Sequence, residues 1–476
     1  MSDFIAADRA NPDPRLSLSR EEMRRFGYEV IDLLVDHFEQ LSEQPIGAKL
    51  AAPDAAFFLR AEGPPEQAGD PSELLTHLKR EVFPNNLHLD HPRFFAFVPS
   101  PGNFVSTMAD ALASGFNVFA GAWLSGSGAA SMELLVIEWL RRFCGLPEAA
   151  GGLLTSGGSA ANLIGLVTAR ESISPGDVSR ATVYYSDQTH SSNERALFVI
   201  GFKPEQCRKI PSDGEFRLPL GSLASAVAAD RAAGMQPLCV IANAGTTSTG
   251  AVDPVDDLAD FCRSEKLWLH ADGAYGAAAV ICERGREKLR GLERVDSLSL
   301  DPHKWLFQPF ECGCVLVRDR ALLRAAFRVT ADYLREVHRE SAEVNLADHG
   351  LQLTRGFRAL KLWLSIKTFG MAAFRAAVSR GFALAEIAER ELRTKPGWEI
   401  LSRAQMGTVC FRFGAEDAVQ TRIVDAMLRE GYAFLTSTKL KGAICLRLCT
   451  INPRTTDAEM IETVKRLDNC ARQCSQ

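Results

Sequence analysis

At 476 residues the chain is too long for one small domain, and at roughly 150 residues per domain it predicts about three units. With 46% hydrophobic and 24% charged residues it can bury a large core, which excludes a collagenous, low-complexity or largely disordered chain. A net charge of -5 argues against nucleic acid as a partner, and 12 scattered cysteines without a Cys-x-x-Cys pair read as reduced thiols of a cytoplasmic protein.

The N-terminal stretch MSDFIAADRANPDPR is acidic and lacks an apolar segment, so no signal peptide is expected. From Ser19 to Leu41, Met23, Phe26, Val30, Leu33, Leu34, Phe38 and Leu41 recur every three or four residues, which predicts an amphipathic helix. Ser19 and Glu22 form a candidate capping box. Residues Gln44 to Asp70 are rich in Pro, Ala and Gly and read as an irregular connection. Asp70 then caps a second expected helix, Pro71 to Val82. Two uncharged runs, Ala111 to Met132 and Ala232 to Val252, are rich in small and polar residues. They predict buried segments, not membrane spans.

From about residue 105 to 320, helical segments alternate with short apolar runs. Helices are expected at Ser131–Phe143, Ala160–Arg170, Gly221–Ala233 and Pro254–Lys266. Strands are expected at Gly152–Thr155, Ala181–Tyr185, Pro237–Ala242, Leu267–Asp272, Ser297–Asp301 and Cys314–Arg318. That alternation predicts an α/β fold with a mostly parallel sheet and helices on both faces, which binds ligands at the carboxyl ends of its strands. A helical region, Phe357 to Lys395, leads into a smaller α/β unit with Thr408–Phe413, Ala418–Glu430 and Ala443–Leu448.

Several catalytic signatures are missing. There is no Gly-Lys dipeptide for a Walker lysine, and no His-Glu-x-x-His. Gly157-Gly158-Ser159-Ala160-Ala161 fails Gly-x-Ser-x-Gly at its last position. His88 and His91 have no evident third ligand, so no metal is expected. What remains lies at the ends of expected strands. Thr155 to Asn162 (TSGGSAAN) joins a strand to a helix, where small residues and free N–H groups suit a phosphate. His190 follows the strand TVYY, Asp272 ends LWLHAD, and Lys304 follows SLSL in Asp301-Pro302-His303-Lys304-Trp305. Each has a plain alternative: a tight turn, a helix cap, a paired carboxylate, a solvated charge. Together they form one chemistry. A lysine in such a place can form a Schiff base, and an aspartate can keep a pyridine nitrogen protonated. A histidine can stack on the ring while the turn holds a phosphate. The set describes a pyridoxal 5'-phosphate (PLP) site.

Over nearly its whole length the chain resembles the group II PLP-dependent decarboxylases, in the branch of the aromatic L-amino acid decarboxylases. The likeness is carried by HPRFFAF (91–97), TSGGSAAN, SDQTHSSNERA (186–196), GTTSTGAVD (245–253), HADGAYG (270–276), DPHKW and RGFRALKLW (355–363). The resemblance implies PLP fold type I in three parts: an N-terminal helical arm swapped across a dimer (1–103), a large PLP-binding domain (104–360) and a small C-terminal domain (361–476). It implies that Lys304 is the Schiff-base lysine, that Asp272 pairs with the pyridine nitrogen, and that Ala274 and His190 cover the two ring faces. Gly158, Ser159, Asp301 and His303 would surround the phosphate, with Thr247 near the ring hydroxyl. Asp301 departs from the family, which often has Asn there, and a carboxylate repels a phosphate unless a cation or proton compensates. Tyr333 falls where the family places a mobile loop whose Tyr protonates the α-carbon after CO2 leaves. Relatives that form aldehydes often lack this Tyr or the stacking His, so the resemblance favours simple decarboxylation.

The substrate implied is an aromatic amino acid: tryptophan, tyrosine, DOPA or phenylalanine. Trp305 matches the aromatic branch. Phe97, Val98, Pro99, Ser100 and Thr354 would form the ring pocket, with Phe119 and Gly121 from the partner of a homodimer. Gly121 is expected to leave room for a larger ring. An aldehyde-forming enzyme, a decarboxylase of a non-aromatic amino acid and a silent PLP-fold binding protein are the competing readings. No nucleic-acid or membrane partner is expected.

Overall fold

The computed structural model describes residues 16–50, 63–327 and 343–475. The chain divides into two compact units, Met1–His88 and Leu89–Gln476.

In the first unit, α1 (Arg20–Gln40) opens on the expected capping box. Ser19 Oγ accepts from the Glu22 N–H at 3.2 Å, and Glu22 Oε2 accepts from the Ser19 N–H at 2.8 Å. The next helix, α2 (Pro71–His77), is capped by Asp70, whose carboxylate accepts from the Ser72 N–H at 2.7 Å. It is shorter than expected. Residues Leu78–Val82 widen into a π turn and Phe83–Asn85 tighten into a 3-10 turn. Pro84 supplies the reason, because it lacks an N–H for the helical ladder and disfavours helical geometry just before it.

The second unit opens with α3 (Phe104–Gly115) and α4 (Trp123–Phe143). The α4 helix starts eight residues ahead of the expected Ser131, with a break at Gly126. A Cβ at Gly126 would lie 2.3 Å from the Phe119 carbonyl oxygen, so small residues there serve close packing and give no apolar periodicity. There follow β1 (Gly151–Thr155), α5 (Gly158–Ile173), β2 (Ala181–Ser186), α6 (Ser191–Val199) and β3 (Cys207–Ile210). Next come α7 (Leu220–Ala232), β4 (Gln236–Asn243), α8 (Val255–Glu265), β5 (Trp268–Gly273), α9 (Glu283–Lys288), β6 (Ser297–Leu300), β7 (Gly313–Val317) and α10 (Arg320–Phe327). The long α11 (Ala359–Arg393) leads to β8 (Trp398–Gln405), β9 (Thr408–Phe413), α12 (Asp417–Glu430), β10 (Thr436–Leu440), β11 (Ala443–Cys449) and α13 (Asp457–Cys474).

The large sheet has the order β1-β7-β6-β5-β4-β2-β3. Only β7 runs against its neighbours, so β1, β2, β4, β5 and β6 end on one edge. This is the mostly parallel sheet expected from the βαβ alternation, and its central strands are buried along their whole length. The second sheet is antiparallel, in the order β10-β11-β9-β8. Strands β3, β8 and β10 lie outside the expected set. Each carries exposed positions, so its sequence lacks the continuous apolar run that marks a central strand.

Trp305 is fully buried and does not line the cavity described below. Its ring lies 6.0 Å from that of Tyr275 and 5.6 Å from that of Phe382 in α11. A Cβ at Gly381 would come within 2.8 Å of it, and one at Gly407 within 3.0 Å. This residue fastens the turn after β6 to α11 and to the β8–β9 hairpin.

Candidate active site

At the edge where β1, β2, β4, β5 and β6 end lies a cavity of about 310 Å³. All nine residues expected to hold the cofactor line it: Gly158, Ser159, His190, Thr247, Asp272, Ala274, Asp301, His303 and Lys304. They come from five different strand ends, which explains their wide spacing in the sequence.

Asp272 stands near the end of β5, in register with Asn243 of β4 and Ser299 of β6. It is 7% exposed, and a carboxylate buried so deeply costs several kcal/mol unless it is partnered, by about that order of effect. Four donors partner it. Oδ2 accepts from Asn162 Nδ2 at 3.0 Å and from Asn193 Nδ2 at 2.6 Å. Oδ1 accepts from the Ala274 N–H and the Ser299 hydroxyl, both at 3.2 Å. These neutral donors hold the carboxylate without neutralising it, so its charge stays available to a cation in the cavity.

Lys304 lies in the turn after β6, with Nζ 2.9 Å from Asp301 Oδ2. His303 Nε2 is 3.5 Å from the same oxygen. Burial lowers the His303 pKa, against the pull of Asp301. Its Nδ1 accepts the Cys312 N–H at 3.2 Å, which leaves Nε2 as the protonated nitrogen of the neutral ring. Asp301 is 2% exposed, and its Oδ1 has no hydrogen-bond partner. An orphaned oxygen in a buried carboxylate is costly, and here it borders the strand-to-helix turn. A Cβ on Gly158 would lie 3.0 Å from Asp301 Oδ2 and 2.5 Å from the Ala274 Cβ, so only glycine fits.

The turn Ser156–Gly157–Gly158 opens α5, whose first N–H groups lack helical acceptors and face the cavity edge. His190 is the N-cap of α6, with Nδ1 accepting the Ser192 N–H at 3.2 Å, as a helix-cap reading of it anticipates. That cap holds one edge of the ring and leaves the remainder exposed to the cavity. Tyr333 lies outside the described residues.

The seven expected substrate residues are placed differently. None of Phe97, Val98, Pro99, Ser100 and Thr354 lines the cavity, and Phe119 and Gly121, expected to serve a partner's site, do not line that of their own chain. Ser100 is buried and donates to the His303 carbonyl at 2.7 Å, so it braces the lysine turn. Phe97 and Phe119 are exposed, as is Thr354. Gly121 does not leave the expected room. A Cβ there would sit 2.5 Å from the Leu353 oxygen and 2.7 Å from Phe119 Cζ, so the Phe119 ring already fills the space.

Four neighbours were given no role by the sequence reading: Asn162, Asn193, Ser299 and His270. For His270 and Ser299 the signal is polar residues at alternate positions of fully buried strands, His-Ala-Asp in β5 and Ser-Leu-Ser in β6, whereas Asn162 and Asn193 lie in the first turns of α5 and α6. Arg355, which from the sequence could join an ion-pair network or lie plainly on the surface, pairs with Glu133. The two side chains are fully buried at 2.5 Å. Glu133 accepts the Leu154 N–H at 2.8 Å, and Arg355 donates to the Leu154 carbonyl at 2.7 Å. Since β1 is an edge strand, the pair serves Leu154 as a neighbouring strand would, just ahead of the Ser156 turn.

An amine, a carboxylate held by neutral donors, a ring-bearing cap and a helix N-terminus around one cavity define an enzyme that binds a phosphorylated pyridine aldehyde. The pattern of the pyridoxal-dependent decarboxylase conserved domain matches residues 59–414. An aromatic-L-amino-acid decarboxylase of Bacillus atrophaeus is 45% identical over 469 residues, 97% of this chain and 98% of that one. A phenylacetaldehyde synthase of Arabidopsis thaliana is 28% identical, over 94% of this chain and 95% of that one. The crystal structure of Oryza sativa TDC with PLP and tryptamine superposes with a TM-score of 0.92 at 29% identity, covering 98% of this chain and 100% of that one. The chain belongs to the pyridoxal-dependent decarboxylase family, and its fold is PLP fold type I. It is a PLP-dependent amino-acid carboxy-lyase.

Proposed function

We propose that the chain decarboxylates an aromatic L-amino acid, drawn from tryptophan, tyrosine, DOPA and phenylalanine, to the amine and CO2. The observation that carries this reading is Lys304 and Asp272 at the ends of adjacent strands of one cavity, with the match to aromatic-amino-acid decarboxylases over almost the whole chain.

The cavity residues fit PLP. The Lys304 amine would hold its aldehyde carbon, the Asp272 carboxylate its ring nitrogen, and the N–H groups of the Gly158–Ser159 turn its phosphate. His190 and Ala274 would cover the ring faces. When bound, PLP supplies an electron sink for the pair released as the carboxylate leaves. The chain's own residues do the rest. Asp272, held in place by its four neutral donors, would accept the proton carried on the ring nitrogen as a hydrogen bond and so favour the protonated ring. Asp301 balances the Lys304 ammonium until that amine is engaged. His190 excludes water from one side, and Tyr333 returns a proton to the α-carbon.

Assembly and location extend the proposal. We infer a homodimer in which residues 1–103 form an arm that crosses to the partner, 104–360 the PLP domain and 361–476 the small domain. The support is an exposed apolar set that includes Phe116 at 79% and Leu124 at 68%, next to Phe119 and Gly121. A cytoplasmic location is supported by 12 free cysteines. Among the described residues, no helix is long and apolar enough to cross a membrane.

A panel of amino acids that includes DOPA and 5-hydroxytryptophan, scored for CO2 and amine, tests the proposal. Equal CO2 and amine from an aromatic member is the expected result. Aldehyde, ammonia and peroxide in place of amine would establish the alternative, and no aromatic turnover would overturn the substrate class.

A further inference from the structure

The polar groups behind Asp272 form a hydrogen-bond chain with one direction. Trp268, His270 and Asp272 alternate along β5 and leave the same face of the sheet. Ser297 of β6 stands opposite His270 in register. Trp268 Nε1 can only donate, and it reaches Ser297 Oγ at 2.8 Å. The Ser297 hydroxyl lies 2.8 Å from His270 Nδ1 and donates to it when His270 carries its proton on Nε2. His270 Nε2 is 3.1 Å from Asn162 Oδ1.

The amide of Asn162 passes the direction on. Its Nδ2 donates to Asp272 Oδ2 at 3.0 Å and to Ser192 Oγ at 3.1 Å. Ser192 Oγ in turn lies 2.8 Å from His190 Nδ1. The Asp272 end demands this orientation, because a carboxylate only accepts and so turns the Asn162 oxygen toward His270; the indole, which only donates, is compatible with it. His270 is fully buried, and burial pushes its pKa down to about 4 against the opposing pull of Asp272. The ring is therefore neutral near pH 7. Gly165, less than a turn beyond Asn162 in α5, makes room for it: a Cβ there would lie 2.8 Å from His270 Cε1.

We infer that His270, held by Ser297 and Trp268, is a positioning residue that sets the Asn162 amide between Asp272 and His190. It thereby aims the carboxylate and fixes the His190 tautomer with the proton on Nε2, open to the cavity. The inference rests on the roles proposed above for Asp272 and His190.

The direct test uses the cofactor-free chain with ¹⁵N-labelled histidine. The expected His270 signal is a neutral ring with its proton on Nε2 at every pH from 6 to 8. A proton on Nδ1, or a charged ring in that range, would overturn the chain of donors. On the holoenzyme, His270→Phe should weaken cofactor binding about tenfold. It should also move the pH at which the bound cofactor's visible band titrates. His270→Gln, which keeps a donor toward Asn162, should recover most of both. Ser297→Ala, which only removes a hydroxyl, should shift both in the same direction and serves if His270→Phe does not fold. Unchanged affinity and titration in these variants would reduce His270 to core packing. Asp272→Asn separates the two layers. If it leaves the visible band unaltered, the proposed role of Asp272 fails, while the labelled-ring result still stands by itself.

Discussion

The inner edge of the large sheet and the segments expected to meet the substrate are built in opposite ways. At the inner edge Asp272 has four hydrogen-bond donors, Lys304 has a counter-ion, and every expected cofactor residue lines one cavity. Phe97, Phe119 and Thr354 are exposed, and none of the residues expected to meet the substrate lines that cavity. One chain therefore brings together the residues expected to hold the cofactor and does not bring together those expected to meet the substrate. Cofactor chemistry needs charges fixed within a rigid sheet, whereas an aromatic pocket needs apolar walls that a second copy can supply.

Changes at the inner edge should have the largest consequences. Lys304→Ala should reduce amine formation to background and abolish the visible cofactor band. Asp272→Asn should lower turnover on the order of a hundredfold or more, since it removes the charge aimed at the reacting system. Its cofactor affinity, measured by dialysis, should fall with it. Glu133→Gln leaves the Arg355 guanidinium buried without its carboxylate, and should cost about 3–5 kcal/mol in urea unfolding. Wild-type stability in that variant would show that Leu154 does not need the pair.

Outside the inner edge the expected changes concern the product and its selectivity. Tyr333→Phe should move product from amine toward aldehyde, read as ammonia and peroxide release; undiminished amine would remove Tyr333 from the protonation step. Phe119→Ala should be milder, altering the ratio of kcat/KM between two aromatic substrates by about tenfold, the scale of a changed apolar contact. An unaltered ratio would place Phe119 away from the substrate.

Much of the inner edge was legible because its strands are buried and apolar, so a Lys or Asp at their ends stands out. The helix starts at Ser19 and Asp70 were legible for a local reason, since a cap is written within a few residues. Asn162 and His270 were harder. Their partners are 110 and 27 residues away in sequence, brought close by the packing of α5 on β5 and by the register of β5 and β6. Gly121 misled for a related reason. A missing side chain suggests space, but Phe119 folds back into it. The exposed strands β3, β8 and β10 escaped because pairing, not burial, makes them strands.

The most direct measurement of the central claim is borohydride reduction of the holoenzyme followed by peptide mass mapping. The account expects the reduced cofactor on the peptide that contains Lys304, with loss of the visible band. Label on another lysine, such as the buried Lys361, or no label at all, would contradict it.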